Sequence, residues 1–129
     1  MMPETTVYLD AADQDLVEAR GNLSLKFSRQ AARLAYYARF HAAQALIFER
    51  TGKVAKTHKG VHTLFHKLSR AEAIVPLDLA AELVEAYRHK EIADYDFGTS
   101  PTITSSQATN SIAAAERFAS AIRQALAAP

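Results

Sequence analysis

Cysteine is absent from this 129-residue chain. That excludes a disulfide framework, a thiolate metal site and a cysteine nucleophile together. Glycine and proline are scarce, four of each, so little in the sequence interrupts long helices. No apolar run approaches the roughly 20 residues that a membrane span needs. The opening stretch MMPETTVYLDAADQD lacks the basic-then-apolar layout of a secretion signal. One cytoplasmic domain with no membrane partner is therefore expected, long enough to bury a core without metal or disulfide staples. Catalytic loops are missing as well. There is no phosphate-binding glycine loop, no HExxH pair and no GxSxG elbow, so any nucleotide has to be recognised by side chains.

Acids are missing from one region. Between Ala19 and Ala71 the only acid is Glu49, set against eleven Lys and Arg residues, a local charge of +10. The rest of the chain must carry −9 to reach the net +1. Such a block has two readings: a polyanion or acidic partner, or basic helices lying beside acidic ones of the same chain.

What remains reads as helix throughout, with no convincing alternation at strand length. The periodicity predicts a first helix over about Ala11 to Phe27, bent near Gly21-Asn22, after a loose segment 1–10. Ser28 is the expected N-cap of a second, long helix that stops at Gly52. Thr57 caps a third, THKGVHTLFHKLSR, and a fourth runs from about Leu77 through YRHKEIADYDF. Residues 98–110, rich in Ser, Thr and Pro, read as a loop before the last helix. The second helix has three faces. Ala31, Ala35, Ala38, Ala42 and Ala45 form a small-residue stripe, and Tyr36, Phe40, Ala43 and Ile47 an ordinary core stripe. The third face is polar, carrying Gln30, Arg33, Tyr37, His41 and Gln44. Two packing faces and one polar face suit the centre of an antiparallel bundle.

The blocks RLAYYARFHAAQALI, KTHKGVHTLF and YRHKEIADYDF, in this order and spacing, resemble the HEPN domain, the higher-eukaryote and prokaryote nucleotide-binding superfamily. The likeness covers roughly Ala11 to Ala128 and is nearest to short stand-alone prokaryotic members. It implies an all-α, up-and-down bundle of four main helices plus a short extra one. It also implies a homodimer with a cleft lined by polar helix ends. Such proteins commonly pair with a minimal nucleotidyltransferase in toxin–antitoxin or phage-defence systems, and many are metal-independent ribonucleases. Their hallmark is an arginine followed, after four to six residues, by a histidine. Arg88 matches the arginine, whereas Ala93, Asp94 and Tyr95 occupy the places of the histidine.

Metal-independent RNA cleavage needs a base for the 2′-OH and a cation for the charged phosphorane. Arg88 supplies the cation through bidentate phosphate contact. Asp94 and His41 are the candidates for the base. Asp94 is handicapped by an ordinary pKa near 3.9 and by lying about 120° around the helix from Arg88, whereas Tyr95 shares its face. His41 is either a hydrogen-bonded packing histidine or a base at the dimer cleft. The alternative for Arg88 is a surface pair with Glu82, Glu85 or Glu91 while Tyr95 packs in the bundle. Tyr95 also sits where, in some relatives, the partner nucleotidyltransferase adds AMP to a tyrosine.

His58, His62 and His66 recur at i, i+4 and i+8 on one face of the third helix. Lys56, Lys59 and Lys67 around them oppose a metal cation, so no metal or other cofactor is expected. That face reads instead as basic and partly protonated, able to touch phosphate. The leading expectation is an RNA- or nucleotide-binding module with weak or no catalysis, using Arg88 with Arg33, Tyr37, Lys59, His62 and Tyr95. The alternatives are a ribonuclease with a non-standard base, and a structural partner whose basic block docks an acidic protein.

Overall fold

The computed structural model describes residues 1–73, 75–95 and 102–128. Five α-helices follow one another: α1 (Pro3–Ser24), α2 (Ser28–Thr51), α3 (His58–Ala71), α4 (Asp78–Asp94) and α5 (Ser105–Ala127). No strand occurs among the described residues. The architecture is the expected all-α bundle, with α3 as the short extra helix. None of these helices is long and apolar enough to cross a membrane.

Helix α2 is the hub, packing against each of the other four. Its alanine stripe explains this, since Ala31, Ala35, Ala38, Ala42 and Ala45 are all fully buried. Without long side chains in the way, neighbouring backbones approach closely. Tyr36, Phe40, Ala43 and Ile47 fill the second buried face. Gly52 ends the helix in the left-handed conformation (φ 71°), its N–H donating to the Phe48 carbonyl at 2.8 Å.

Several boundaries differ from the sequence-based expectation. Residues 1–10 are not loose, because α1 already starts at Pro3. The Met2 N–H and the Thr5 hydroxyl both donate to Glu49 Oε1 on α2, at 2.9 and 2.8 Å, and Leu9 is buried. The single acid of the basic block thus anchors the N-terminus. Helix α1 passes through Gly21-Asn22 without a break, Asn22 Nδ2 donating back to the Glu18 carbonyl at 2.8 Å. The turn falls instead at Leu25–Phe27, with Lys26 at φ 66°. Ser28 is not the N-cap. The Phe27 carbonyl accepts the first helical bond from Ala31, which makes Phe27 the cap.

Thr57 does cap α3, its Oγ1 accepting from Gly60 N at 2.9 Å. Helix α4 closes at Asp94, short of Phe97; Asp96 and Phe97 lie outside the described residues. The expected loop over 98–110 is also shorter. Residues 98–101 are outside the described set, and Ser105–Asn110 are helical. Thr104 and Gln107 form a reciprocal capping box that starts α5 early.

Candidate functional site

Arg88 stands on the outer face of α4. Its side chain is 71% exposed, and its one ion pair among the described residues is a 3.4 Å contact with Glu85 one turn earlier. A pair this exposed contributes little and leaves the guanidinium available to an anion. Arg88 forms one wall of a groove of about 370 Å³ between α3 and α4. His62 and His66 form the opposite wall, and Leu77, Ala80 and Val84 supply an apolar floor. The helical repeat sets this up. Lys59, His62, His66 and Arg70 fall at i, i+3, i+7 and i+11, one stripe along α3. Lys59, His66 and Arg70 are exposed. His62 and His66 therefore face Arg88 across an open cleft, and Lys59 and Arg70 continue the same stripe of α3 outside it.

Behind His62 lies a buried polar knot. Tyr36 is fully buried on α2, and its hydroxyl sits 2.8 Å from His58 Nδ1 and 3.0 Å from His62 Nε2. Tyr87 of α4 closes over both rings, with centroids 4.8 Å from His58 and 5.3 Å from His62. One hydroxyl has one proton, so it donates to one imidazole and accepts from the other. Two protonated rings would point two N–H groups at one oxygen and leave the phenol proton without an acceptor. Burial lowers the pKa of both histidines. The Lys90 charge lowers His58 further, against Glu91 and Asp94, and His58 lowers His62 further. These two rings are neutral at pH 7, contrary to the partly protonated face expected from sequence. Burial also holds the Tyr36 phenol well above its ordinary pKa.

Arg33, Tyr37, Lys90 and Asp94 make a second cluster beside the knot. Asp94 accepts from Lys90 Nζ at 2.6 Å and lies 3.1 Å from Arg33 Nε. The Arg33 and Lys90 charges lie 5.6 and 5.8 Å from the Tyr37 ring centroid. Burial works against the Lys90 charge, but the hydrogen bond to Asp94 and the nearby Tyr37 outweigh it and raise the pKa. Asp94 is thus bound between two cations and turned from Arg88, as its 120° offset requires.

His41 is elsewhere, facing α1. Gln44 Nε2 donates to the Ala55 carbonyl at 2.8 Å, which turns Gln44 Oε1 toward His41 Nδ1, also at 2.8 Å. That nitrogen therefore carries the proton, and Nε2 faces Asp15 Oδ2 at 3.6 Å. Asp15 Oδ2 is buried without a hydrogen bond, and burial pushes its carboxyl up to about 6, His41 partly opposing this. Tyr95 is 63% exposed and does not pack in the bundle. The structure brings Arg88 together with His62, while His41, Asp94 and Arg33 lie in other constellations.

The basic block is partly compensated within the chain. Arg20 pairs with Glu116, Arg33 with Asp94, Arg39 with Glu82 and Arg50 with Glu72. Lys53, Lys56, Lys59, Lys67 and Arg70 have no ion pair among the described residues. The intramolecular reading of the block therefore holds in part, and the uncompensated share is concentrated on and before α3. Among the described residues no group of three or more His, Asp or Glu side chains is arranged to hold a metal ion.

Sequence reasoning did not single out Tyr36, Tyr87, Lys90 or Arg39 as site or network residues. Tyr36 was placed on a core stripe, where it does sit. The available signal was a polar-tipped ring on that stripe opposite histidines at i and i+4 of the next helix, since a buried phenol needs a partner.

A hub helix packed against four others, with a polar knot behind a groove on one flank, defines an all-α bundle. The HEPN-domain family model matches residues 5–125, and the chain belongs to that family. A UPF0332 protein of Gloeobacter violaceus is 28% identical over 95 residues, covering 74% of this chain and 75% of that protein.

Proposed function

We propose that this HEPN domain is an RNA- or nucleotide-binding module serving in a prokaryotic toxin–antitoxin or phage-defence pair. The observation that carries the reading is the α3–α4 groove. It sets an exposed, weakly paired Arg88 across from His62 and His66 over an apolar floor, with Lys59 exposed on the same stripe of α3. Arginine offers a phosphate two parallel N–H bonds, lysine adds long-range attraction, and the apolar floor suits a base or ribose. Its volume falls within the roughly 300–1,000 Å³ usual for small-ligand sites. The module acts as a homodimer with a minimal nucleotidyltransferase as its partner.

Titrating the protein with fluorescent single-stranded RNA at several salt concentrations tests this. Binding should weaken steeply with salt, and Arg88→Ala should lower both affinity and salt slope. Salt-insensitive binding, or no difference in the variant, refutes the reading; capture of an acidic protein instead favours a structural partner.

One observation favours a second reading, a metal-independent ribonuclease. A neutral histidine, His62, shares the Arg88 groove, whereas Asp94 and His41 do not line it. Neutral imidazole can take the 2′-OH proton as O2′ bonds to phosphorus and the P–O5′ bond breaks. The products are a 2′,3′-cyclic phosphate and a 5′-OH that receives a proton in turn. Cleavage lost in Arg88→Ala and in His62→Ala supports this reading, and cleavage indifferent to both removes it.

A further inference from the structure

We infer that Tyr36, backed by His58, is a positioning residue that sets which nitrogen of His62 carries a proton and so arms the groove for proton transfer. This rests on the ribonuclease reading of the Arg88 groove. The geometry leaves few choices. His62 Nε2 is occupied by the Tyr36 hydroxyl at 3.0 Å, so Nδ1, which makes no hydrogen bond to the described residues, is the nitrogen left for a ligand. The bond at one ring nitrogen fixes the state of the other.

When Tyr36 donates to His58 Nδ1, its oxygen accepts the His62 Nε2 proton, and His62 Nδ1 is a bare lone pair, a base. When His58 Nδ1 carries the proton and donates to Tyr36, the phenol donates to His62 Nε2, and His62 Nδ1 bears a proton, an acid. The first form becomes the second when His62 Nδ1 gains a proton from outside while one proton moves along each bond of the line His62–Tyr36–His58. A proton taken from the substrate at His62 Nδ1 can be matched by one leaving Nε2 for Tyr36 and another leaving Tyr36 for His58 Nδ1. The positive charge then rests on His58, one step further from the phosphate. Nδ1 keeps the substrate proton and passes it to the departing 5′ oxygen as the line runs back and returns the proton to Nε2, so protons balance over one turnover.

The surroundings are arranged for this. Tyr36 is fully buried, so water does not compete for the hydroxyl. Tyr87 covers both rings and bonds Glu91, which raises its own pKa. Around His58, burial and Lys90 oppose a positive charge, so that the ring holds it only in passing, while Glu91 and Asp94 favour it. Around His62 stand Arg88, His66 and Glu85 in the groove, with Tyr36 and His58 behind.

Tyr36→Phe keeps the ring and removes only the oxygen. Two readouts decide: the ring-nitrogen NMR spectrum of His62 across pH, and the pH profile of single-stranded RNA cleavage. In the wild type, His62 should be mainly Nε2-protonated and titrate below the ordinary histidine value. In Tyr36→Phe the two tautomers should mix, and kcat should fall roughly tenfold or more with a moved acid limb, KM changing little. His58→Gln, which alters the far end of the line, should move the same limb, and it decides the question if Tyr36→Phe fails to fold. An unchanged His62 tautomer or pH profile in the folded variants overturns the inference, even if Arg88→Ala and His62→Ala both abolish cleavage. Cleavage that ignores Arg88 and His62, or no cleavage by the wild type, overturns the ribonuclease reading and the inference with it.

Discussion

Arg39 is the least expected charge in this protein, and its removal should be costly. The side chain is 3% exposed, at the junction of α2, α4 and α5. Nε donates to Glu82 Oε1 at 3.1 Å, one terminal nitrogen to the Ala35 carbonyl and Ser111 Oγ at 3.3 Å each, and the other to the Ser111 carbonyl at 2.9 Å. Burial lowers its pKa, against the opposing pull of the Glu82 bond. In Arg39→Ala, Glu82 loses its partner and Ser111 two donors. Breaking a buried pair costs about 3–5 kcal/mol. Glu82 is 30% exposed and partly rehydrates, which places the loss near the lower bound. For a domain of this size, about 3 kcal/mol corresponds to a fall in melting temperature on the order of 10 °C. Thermal and urea unfolding followed by circular dichroism measure it. Arg39→Met with Glu82→Leu should recover most of the loss, because an apolar pair leaves no stranded charge. A loss below about 1 kcal/mol in Arg39→Ala would refute the reasoning, since the lost hydrogen bonds alone should exceed it. So would a double variant no more stable than the single one.

Other expectations follow from single residues. Asp15 has its folded-state pKa raised from 3.8 to about 6, so the folded protein holds the extra proton between those values. Stability should therefore fall as pH rises from about 4 to 6 and level off above; Asp15→Asn should flatten that segment in urea titrations, and an unchanged slope would contradict it. Gly52→Ala meets no atom within 4 Å but must adopt φ 71°, so it should cost about 1 kcal/mol, and a neutral result would show that the α2 end relaxes. Thr57→Ala removes the side-chain cap of α3 and should cost about 1 kcal/mol, with faster amide exchange at Gly60. Asp94→Asn should loosen Lys90 and Arg33 without abolishing RNA binding, since neither lines the Arg88 groove.

Much of the fold was legible because alanine spacing and capping residues are local signals. The stripe from Ala31 to Ala45 announced a central helix, Gly52 its end and Thr57 the next start. The misplaced boundaries have physical reasons. Pro3 and Glu4 suit a helix start, but what fixes α1 there is Glu49, 44 residues from Thr5, a contact no local pattern reveals. Around Thr104 a Ser/Thr-rich composition masked a capping box. For the site, Arg88 was identifiable by its place in a motif and its exposure by its acid-rich turn. The association of His62 with Arg88 depends on how α3 lies against α4. Tyr36 looked like core because it is core; only its hydroxyl, aimed between two histidines of another helix, gives it a chemical role.

The α3–α4 groove as the ligand site is tested most directly by following backbone amide and histidine ring resonances as a short single-stranded RNA is added. The largest shifts are expected at His62, His66, Val84 and Arg88, and they should vanish in Arg88→Ala. Shifts confined to the α1–α2 turn around Lys26 and Arg29, with His62 and Arg88 unmoved, would contradict it.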